Sequence, residues 1–202
     1  HPDIKIHYHQ INFKVNLDFN NIEYSYSNLE LNNEVKYKYN NLVYTQKQAY
    51  CANIRFQIIK NLIEKNKFIL YLDADSIVRK PLTQLLQLCE SHDLVINKCT
   101  QKKYYRKGFR IRTGIFSIKN TPIMIEFMDH CINNLNLYQW FSDQDTIQDT
   151  FIEFNDKISF KSLPTEYIDW KYDLNSIIWV GKGDNKIKNN IYINEEERIN
   201  NL

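Results

Sequence analysis

Two aspartates separated by one residue are the strongest chemical signal in the sequence. Asp73 and Asp75 directly follow Phe68–Leu72, a continuous apolar run that is typical of a strand buried on both faces. The carboxyl ends of parallel strands are where α/β sheets bind ligands, and two carboxylates placed there together repel each other. A divalent cation removes that repulsion, and hard oxygen ligands suit Mg²⁺ or Mn²⁺, which substrate phosphates commonly complete. The spacing therefore predicts a metal–diphosphate site. The alternative is a pair of loop aspartates that cap a helix beginning at Leu82.

The segment around these aspartates resembles a known family. Asp73-Ala74-Asp75, in the context Tyr-Leu-Asp-Ala-Asp-Ser-Ile-Val-x-x-Pro-Leu-x-x-Leu, is similar to the metal-binding D-x-D of nucleotide-sugar-dependent glycosyltransferases with the GT-A fold. It is most similar to glycosyltransferase family 8, the glycogenin and bacterial galactosyltransferase relatives. The resemblance implies that Asp75 is the principal ligand of Mn²⁺ or Mg²⁺ and that Asp73 contacts the metal or the ribose. It implies a hexosyltransferase that moves a sugar, with retention, from a UDP-sugar to a carbohydrate or glycoconjugate acceptor.

Two further segments follow the order of that family's motifs. Arg55 lies 18 residues before the first aspartate, where the family has a donor-binding arginine. It also borders an apolar helix face, and a partly buried guanidinium needs an anionic partner; the alternative is an arginine that reaches solvent. Arg112-Thr113-Gly114 resembles the Asn-Ala-Gly segment that contacts the donor sugar, with Arg112 and Thr113 replacing the usual small pair. Gly114 would permit a close approach of the backbone.

The segment Ser142-Asp143-Gln144-Asp145 resembles the family's Asp-Gln-Asp, which orients the sugar near its anomeric carbon. The resemblance implies that Asp143, Gln144 and Asp145 take part in catalysis. Serine followed three residues later by an acidic residue also resembles a capping box at a helix start, and the two interpretations are compatible.

The late metal histidine of the family has no counterpart in this sequence. The nearest stretch, Ile177-Ile-Trp-Val-Gly-Lys-Gly-Asp-Asn-Lys186, has Trp179 at the approximate position of that histidine, and an indole cannot ligate a metal. We expect Asp184 or a water molecule to serve instead, and Lys182 or Lys186 to contact the leaving diphosphate.

The hydrophobic pattern predicts alternating strands and helices, which indicates an α/β fold with a largely parallel sheet. Strands are predicted at residues 4–8, 68–72, 94–96, 111–118 and 158–163, and helices at 45–66, 82–90, from 121 and from 142. The resemblance implies a GT-A-like mixed, mainly parallel sheet flanked by helices. It covers residues 1–186 from the fold's second strand onward, so the first strand is expected to be absent. Residues 187–202 are expected to form a polar tail without regular structure.

Composition excludes several other functions. Lys and Arg number 26 against 24 Asp and Glu, so no net field attracts nucleic acid or anionic membranes. Glycine occurs only 4 times, which argues against a glycine-rich nucleotide-binding loop. No apolar run approaches the ~20 residues that span a bilayer. The four cysteines form no C-x-x-C pair and are expected to be reduced thiols, which favours a cytoplasmic protein.

Two alternatives stay open from the sequence. In a haloacid-dehalogenase-like phosphatase, Asp73 would be the nucleophile, Asp75 the general acid/base, and Asp184 part of a late Mg²⁺ motif. Ile77 stands where that family has threonine. The second alternative is a degenerate GT-A domain that binds carbohydrate without transferring it.

Overall fold

The computed structural model describes residues 4–12, 14, 21–30, 33–36, 43–100, 108–181, 183 and 185–201. Its strands are β1 Ile6–Ile11, β2 Ile22–Ser27, β3 Glu34–Lys36, β4 Val43–Thr45, β5 Phe68–Leu72, β6 Ser76–Val78, β7 Leu94–Cys99, β8 Arg110–Lys119, β9 Phe160–Ser162 and β10 Ile178–Val180. Its helices are α1 Gln46–Asn53, α2 Arg55–Ile63, α3 Thr83–Ser91, α4 Pro122–Asn134, α5 Ser142–Phe154, α6 Asn185–Lys188 and α7 Asn190–Asn200, with a 3₁₀ turn at Thr165–Tyr167.

The central sheet has four strands in the order β5-β8-β7-β9. Strands β5, β7 and β9 run in one direction, whereas β8 runs antiparallel to both β5 and β7. The α/β class and the mixed sheet are therefore confirmed, and the reversed strand lies in the middle of the sheet. The sequence spacing explains this reversal. Ten residues separate Cys99 from Arg110, fewer than the dozen or more that a parallel crossover needs.

The sheet separates two hydrophobic clusters, because successive side chains of a strand point to opposite faces. Phe116 of β8 packs in the cluster formed with α2, α4 and α5, while its neighbour Ile115 packs in the cluster that contains Leu85 and Cys89 of α3. In β7, Ile96 and Val95 divide between the same two clusters. The helices thus cover both faces of the sheet.

The predicted helix at 45–66 forms as two helices that meet at Ile54. Thr45 caps α1 through a capping box with Gln48. The amide of Ile54 still bonds to the carbonyl of Tyr50, so the interruption is local. Its consequence is that Asn53 and the first residue of α2, Arg55, are both buried at the junction. This junction supplies two polar side chains to the site.

The two ends of the chain depart from the sequence-based expectation. β1 pairs in parallel with β2 in a separate two-stranded sheet, rather than with the central sheet. The expectation of an unstructured tail is wrong for the described residues up to 201, because α7 forms there. Asn189 caps α7 by accepting from the amides of Ile191 and Tyr192, and Tyr192 buries its ring against Tyr172.

The cysteines form no disulfide in the part of the chain that the structure describes. Burial raises the pKa of Cys131 to about 12 and that of Cys89 to about 11, so both remain protonated thiols at neutral pH. Among the described helices, none is both long enough and apolar enough to cross a bilayer.

Candidate active site

Arg55 lies at the centre of the polar cluster. Its Nη1 donates to Asp73 Oδ1 at 3.1 Å and to the Thr113 carbonyl at 2.8 Å. Its Nη2 lies 3.8 Å from Asp143 Oδ2. The arginine is only 8% exposed, so a buried guanidinium holds two carboxylates from distant parts of the chain. The structure therefore gives Arg55 the anionic partners that its position on the helix required.

Tyr71 also fixes the first aspartate. Its hydroxyl donates to Asp73 Oδ1 at 2.8 Å, and the Arg55 guanidinium lies 4.8 Å from the centre of its ring. Burial raises the pKa of Tyr71, so its hydroxyl stays protonated and remains a donor. Burial also raises the pKa of Asp73, against the opposing effects of Arg55 and of the tyrosine hydroxyl. Two donors thus hold one carboxylate oxygen in a defined place.

Strand β8 contributes a glycine and a hydroxyl. The amide of Asp73 donates to the Gly114 carbonyl at 2.8 Å. A Cβ at Gly114 would stand 2.8 Å from Asp73 Oδ2, so only glycine leaves room for the carboxylate. The neighbouring Thr113, which departs from the family pattern, donates through Oγ1 to Asp143 Oδ2 at 2.6 Å. The threonine therefore orients the second carboxylate of the cluster.

Helix α5 begins without the capping box that its sequence suggests. Phe141 precedes it in the left-handed region at φ 65°, and no side chain caps the helix. Ser142 Oγ accepts instead from the amide of Asn136. The amide of Asp143 donates to Asn53 Oδ1 at 3.0 Å, so a residue of α1 replaces the cap. The left-handed phenylalanine costs free energy, and such strain is concentrated at functional sites.

These residues line a cleft of about 170 Å³, formed by Ala52, Arg55, Asp73, Thr113, Gly114, Trp140, Phe141, Asp143 and Gln144. Gln144 Oε1 accepts from Arg110 Nε at 3.1 Å, and the Arg110 guanidinium lies over the Phe141 ring. The cleft contains the three convergent groups Arg55, Asp73 and Asp143, and we therefore take it as the candidate site.

Two predicted site residues do not line this cleft. Asp145 lines a larger cavity of about 500 Å³ between α4 and α5, which contains none of the clustered residues described above. Arg112 lies with its guanidinium 3.9 Å from the centre of the Trp170 ring and donates to Cys99 Sγ at 3.4 Å. The two segments therefore contribute Thr113, Gly114, Asp143 and Gln144 to the cleft, but not Arg112 or Asp145.

Asp75 makes a separate set of contacts, with residues near the end of the chain. Lys186 Nζ contacts Asp75 Oδ2 at 2.9 Å, and the Tyr192 hydroxyl donates to the Asp75 carbonyl at 2.7 Å. The amide of Gly181 donates to the same carbonyl at 2.9 Å. A Cβ at Gly181 would stand 2.7 Å from Asp75 Oδ2, so this glycine also makes room for a carboxylate. The predicted ligands Lys182 and Asp184 lie outside the described residues.

Carboxylate oxygens are the type of ligand that a hard divalent cation prefers. Each side chain is about one third exposed, at 31% for Asp73 and 29% for Asp75, and each rests against a glycine. Within the described ranges no group of three or more His, Cys, Asp or Glu side chains is arranged to hold a metal, so the remaining ligands would be substrate oxygens. Trp179 is buried and donates through Nε1 to the Asp173 carbonyl. The helix-capping alternative is wrong, since the residue that caps α3 is Leu82 and no side chain bonds there.

Sequence reasoning missed several residues that build the site. Tyr71 was detectable, because residues two apart on a strand share a face and Tyr71 precedes Asp73 by two. Asn53 and Trp140 carried no such signal, since the first lies inside a helix and the second in a connecting segment. Tyr192 was missed because the surrounding Asn, Lys and Glu concealed a single buried aromatic residue.

Residues 20–193 match the nucleotide-diphospho-sugar transferase family, which covers most of the sequence. The chain therefore belongs to that family, and its reaction class is glycosyl transfer. This assignment also argues against the haloacid-dehalogenase-like alternative.

Two solved structures are similar to this chain. The first is the apo form of mouse xyloside xylosyltransferase 1, at 9% identity and a TM-score of 0.45, with 81% of this chain and 76% of that chain covered. The second is the apo form of the glycosyltransferase GlyE of Streptococcus pneumoniae TIGR4, at 16% identity and a TM-score of 0.44. That match covers 84% of this chain and 49% of GlyE, so the chain spans about half of GlyE. No curated protein matches the sequence.

Proposed function

We propose that this chain is a metal-dependent hexosyltransferase of the family 8 type. It would transfer a sugar from a UDP-sugar, with retention, to a carbohydrate or glycoconjugate acceptor in the cytoplasm. The observation that carries this proposal is the convergence of Asp73, Arg55 and Asp143 in one cleft, with Asp75 two residues from its edge. The D-x-D resemblance supplies the metal, the donor base and the stereochemical outcome as expectations.

In this proposal the residues of the cleft hold the sugar. Asp143 is oriented by the Thr113 hydroxyl, and Gln144 by Arg110, so both side chains are fixed before the donor binds. Their polar atoms would orient the sugar hydroxyls and stabilise the oxocarbenium-like transition state. Asp145 is given no role in this step, because it lines the larger cavity between α4 and α5.

The Asp75 region would hold the diphosphate. Asp73 and Asp75 would hold Mn²⁺ or Mg²⁺, which would supply positive charge for the departing nucleoside diphosphate. Lys186 is close enough to Asp75 to turn from that carboxylate toward a phosphate oxygen. Arg55 adds a second fixed positive charge on the other side of Asp73.

Sugar release from a panel of UDP- and GDP-sugars, with Mn²⁺ or Mg²⁺, tests this function. We expect Asp75→Asn to lower the rate by at least tenfold, because it removes a charged metal ligand and keeps the side-chain shape. Asp129→Asn is the matched control, since its carboxylate is exposed and pairs only with Lys60 among the described residues. Full activity of Asp75→Asn would contradict the assignment.

A second candidate function is a carbohydrate-binding domain that has lost transfer activity. The absence of a third metal ligand among residues that the structure describes, and the ion pair between Lys186 and Asp75, favour it. Binding of glycans without binding of any sugar nucleotide would support this second function over the first.

A further inference from the structure

Tyr50 and Tyr138 form a stacked pair of rings at the surface, which we call the tyrosine pair. Their ring centres lie 6.2 Å apart and their planes differ by 21°. Tyr138 is 42% exposed, and Tyr50 is partly exposed. Tyrosine is common at binding surfaces because its ring supplies a large apolar face and its hydroxyl a polar group, at a small cost in conformational entropy. The tyrosine pair therefore has aromatic surface that a ligand can reach.

The segment that carries Tyr138 is held in place by a buried side chain. Asn53 Nδ2 donates to three backbone carbonyls on both sides of the tyrosine, those of Asn136, Leu137 and Gln139. The amide of Tyr138 donates to Asn136 Oδ1 at 3.1 Å. Because the backbone around the exposed ring is already ordered, a ligand that packs on the ring would lose little affinity to the ordering of this segment.

The tyrosine pair borders the candidate site. Ala52 and Trp140 line the cleft of about 170 Å³, and each follows one member of the pair by two residues. Two residues of chain span at most about 7 Å between Cα atoms, so two separate elements place the pair next to the cleft. Neither tyrosine is among the residues that line the cleft. The pair is therefore placed to contact a group that extends out of the cleft, and not the group that fills it.

The order of contacts across the site indicates which group that is. Asp75, which would hold the diphosphate, lies two residues from Asp73, and Asp73 pairs with Arg55 at 3.1 Å. Arg55 contacts Asp143 at 3.8 Å, and the amide of Asp143 donates to Asn53, which anchors the segment of the tyrosine pair. The groups that would hold the transferred sugar thus lie between the diphosphate and the tyrosine pair in this series of contacts. The pair is on the side of the acceptor.

A saccharide has the chemistry to bind to this surface. Its ring has apolar C–H faces that pack against aromatic rings, and its hydroxyl groups form hydrogen bonds with a phenol. A nucleotide base also stacks on aromatic rings. In the proposed function, however, the nucleotide extends from the Asp75 side of the site, so the tyrosine pair is left for the acceptor.

We propose that Tyr138, supported by Tyr50, forms an acceptor subsite in which its ring packs against a sugar ring of the acceptor. This inference rests on the proposed function and assigns two residues that the family resemblance does not include. It makes Tyr138 a contact for the acceptor and not for the donor. Loss of the ring should therefore weaken acceptor binding and leave both the binding of UDP and the hydrolysis of the donor by water unchanged.

Steady-state transfer from the best UDP-sugar, with Mn²⁺, to lactose, maltose, cellobiose and xylobiose tests this inference. We expect Tyr138→Ala to raise the KM for the best of these acceptors by about twofold to tenfold, as loss of an aromatic contact does. Hydrolysis of the UDP-sugar without an acceptor should keep the wild-type rate, which also shows that the variant is folded. Tyr138→Trp keeps an aromatic face and should remain within about twofold of the wild-type KM. Tyr26→Ala is the control, because Tyr26 is 43% exposed but belongs to the separate sheet of β1 and β2.

Three results would overturn the inference and leave the proposed function standing. The first is an unchanged acceptor KM in Tyr138→Ala. The second is weaker calorimetric binding of UDP alone to Tyr138→Ala, which would assign the ring to the nucleotide base. The third is hydrolysis of the UDP-sugar by the wild type without transfer to any of these saccharides. If the wild type neither hydrolyses nor transfers the sugar of any donor, the proposed function fails, and the inference fails with it.

Discussion

The two aspartates of the D-x-D segment lie two residues apart but in different kinds of surroundings. Asp73 belongs to the central sheet, where Arg55, Tyr71 and the Gly114 backbone fix it from three sides. Asp75 precedes β6, which pairs only with β10 in a two-stranded sheet, and its carboxylate contacts the half-exposed Lys186. After the roles that the proposed function gives them, we call the first the sugar half of the site and the second the diphosphate half.

This difference indicates that the two halves would have different roles in the proposed function. The polar groups of the sugar half are largely buried and bonded to one another, so their positions are fixed before a ligand binds. The diphosphate half is more open, and its partly exposed ion pair contributes little stability, so in the proposed function it would give way to a phosphate and a metal. Substitutions should therefore lower the stability of the protein in the sugar half and the affinity for the nucleotide in the diphosphate half.

The largest effect is expected at Arg55. Arg55→Met would leave Asp73 and Asp143 without their shared cation, and removal of one partner of a buried ion pair destabilises a protein by about 3–5 kcal/mol. Urea unfolding measures this loss. Lys60→Met, which removes an ion pair with the exposed Asp129, is the control and should cost less than about 1 kcal/mol. Similar losses of stability in both variants would contradict the expectation that the buried ion pairs of Arg55 stabilise the protein more than a surface ion pair does.

A smaller loss is expected at Asn53. Asn53→Ala removes one bond to the amide of Asp143 and three donated bonds to carbonyls of the α4–α5 connection. Buried groups left unpaired cost about 1–3 kcal/mol each, but the segment can relax, so we expect about 2–3 kcal/mol in total. Asn66→Ala, which removes a single bond to the Leu62 carbonyl, is the matched control. No difference between the two by urea unfolding would show that Asn53 does not anchor this segment.

Helix α7, whose Tyr192 hydroxyl donates to the Asp75 carbonyl, provides a pH-dependent comparison. Bonds from Arg198 and Arg79 lower the pKa of Glu195 to about 2 from its usual 4.5. Because the folded-state pKa is the lower one, the contribution of Glu195 is complete above pH 4.5 and is lost as the pH falls toward 2. Glu195→Gln should therefore be less stable than the wild type at neutral pH, on the order of 1 kcal/mol, and equally stable near pH 2. A difference in stability between Glu195→Gln and the wild type that persists at pH 2 would show that it does not come from the ionised carboxylate.

The smallest effect on stability is expected at Lys186. Its ion pair with Asp75 is partly exposed, and such pairs contribute about 0–1 kcal/mol, so Lys186→Met should unfold at nearly the wild-type urea concentration. The same variant should bind UDP more weakly, since a charge for the diphosphate is lost. A large loss of stability would show that the diphosphate half is as rigid as the sugar half.

Local residue types predicted the elements around the candidate site, whereas the features that packing decides were predicted less well. The hydrophobic run before Asp73 and the glycine at 114 are local signals of a buried strand and a close contact, and both elements formed as predicted. The direction of β8 followed from the length of the connection before it, which periodicity does not measure. The partnership of Asn53 with a segment more than 80 residues away has no local signal at all.

The C-terminal tail, residues 187–202, also shows that local sequence signals do not reveal packing. Its polar composition concealed one tyrosine, and α7 packs through that residue, Tyr192, whose hydroxyl reaches the Asp75 carbonyl. Hydrophobic averages over a window cannot detect one well-placed ring. The domain boundary expected near residue 186 stays a prediction, while the family match extends to residue 193.

Calorimetric titration with UDP and with GDP, each with and without Mn²⁺, is the most direct test of the whole account. The account predicts that one of the two nucleotides binds to the wild type only when Mn²⁺ is present, and that Asp75→Asn abolishes this binding while Asp129→Asn retains it. Binding that is unchanged by Mn²⁺ or by Asp75→Asn would contradict a metal–diphosphate site at this position.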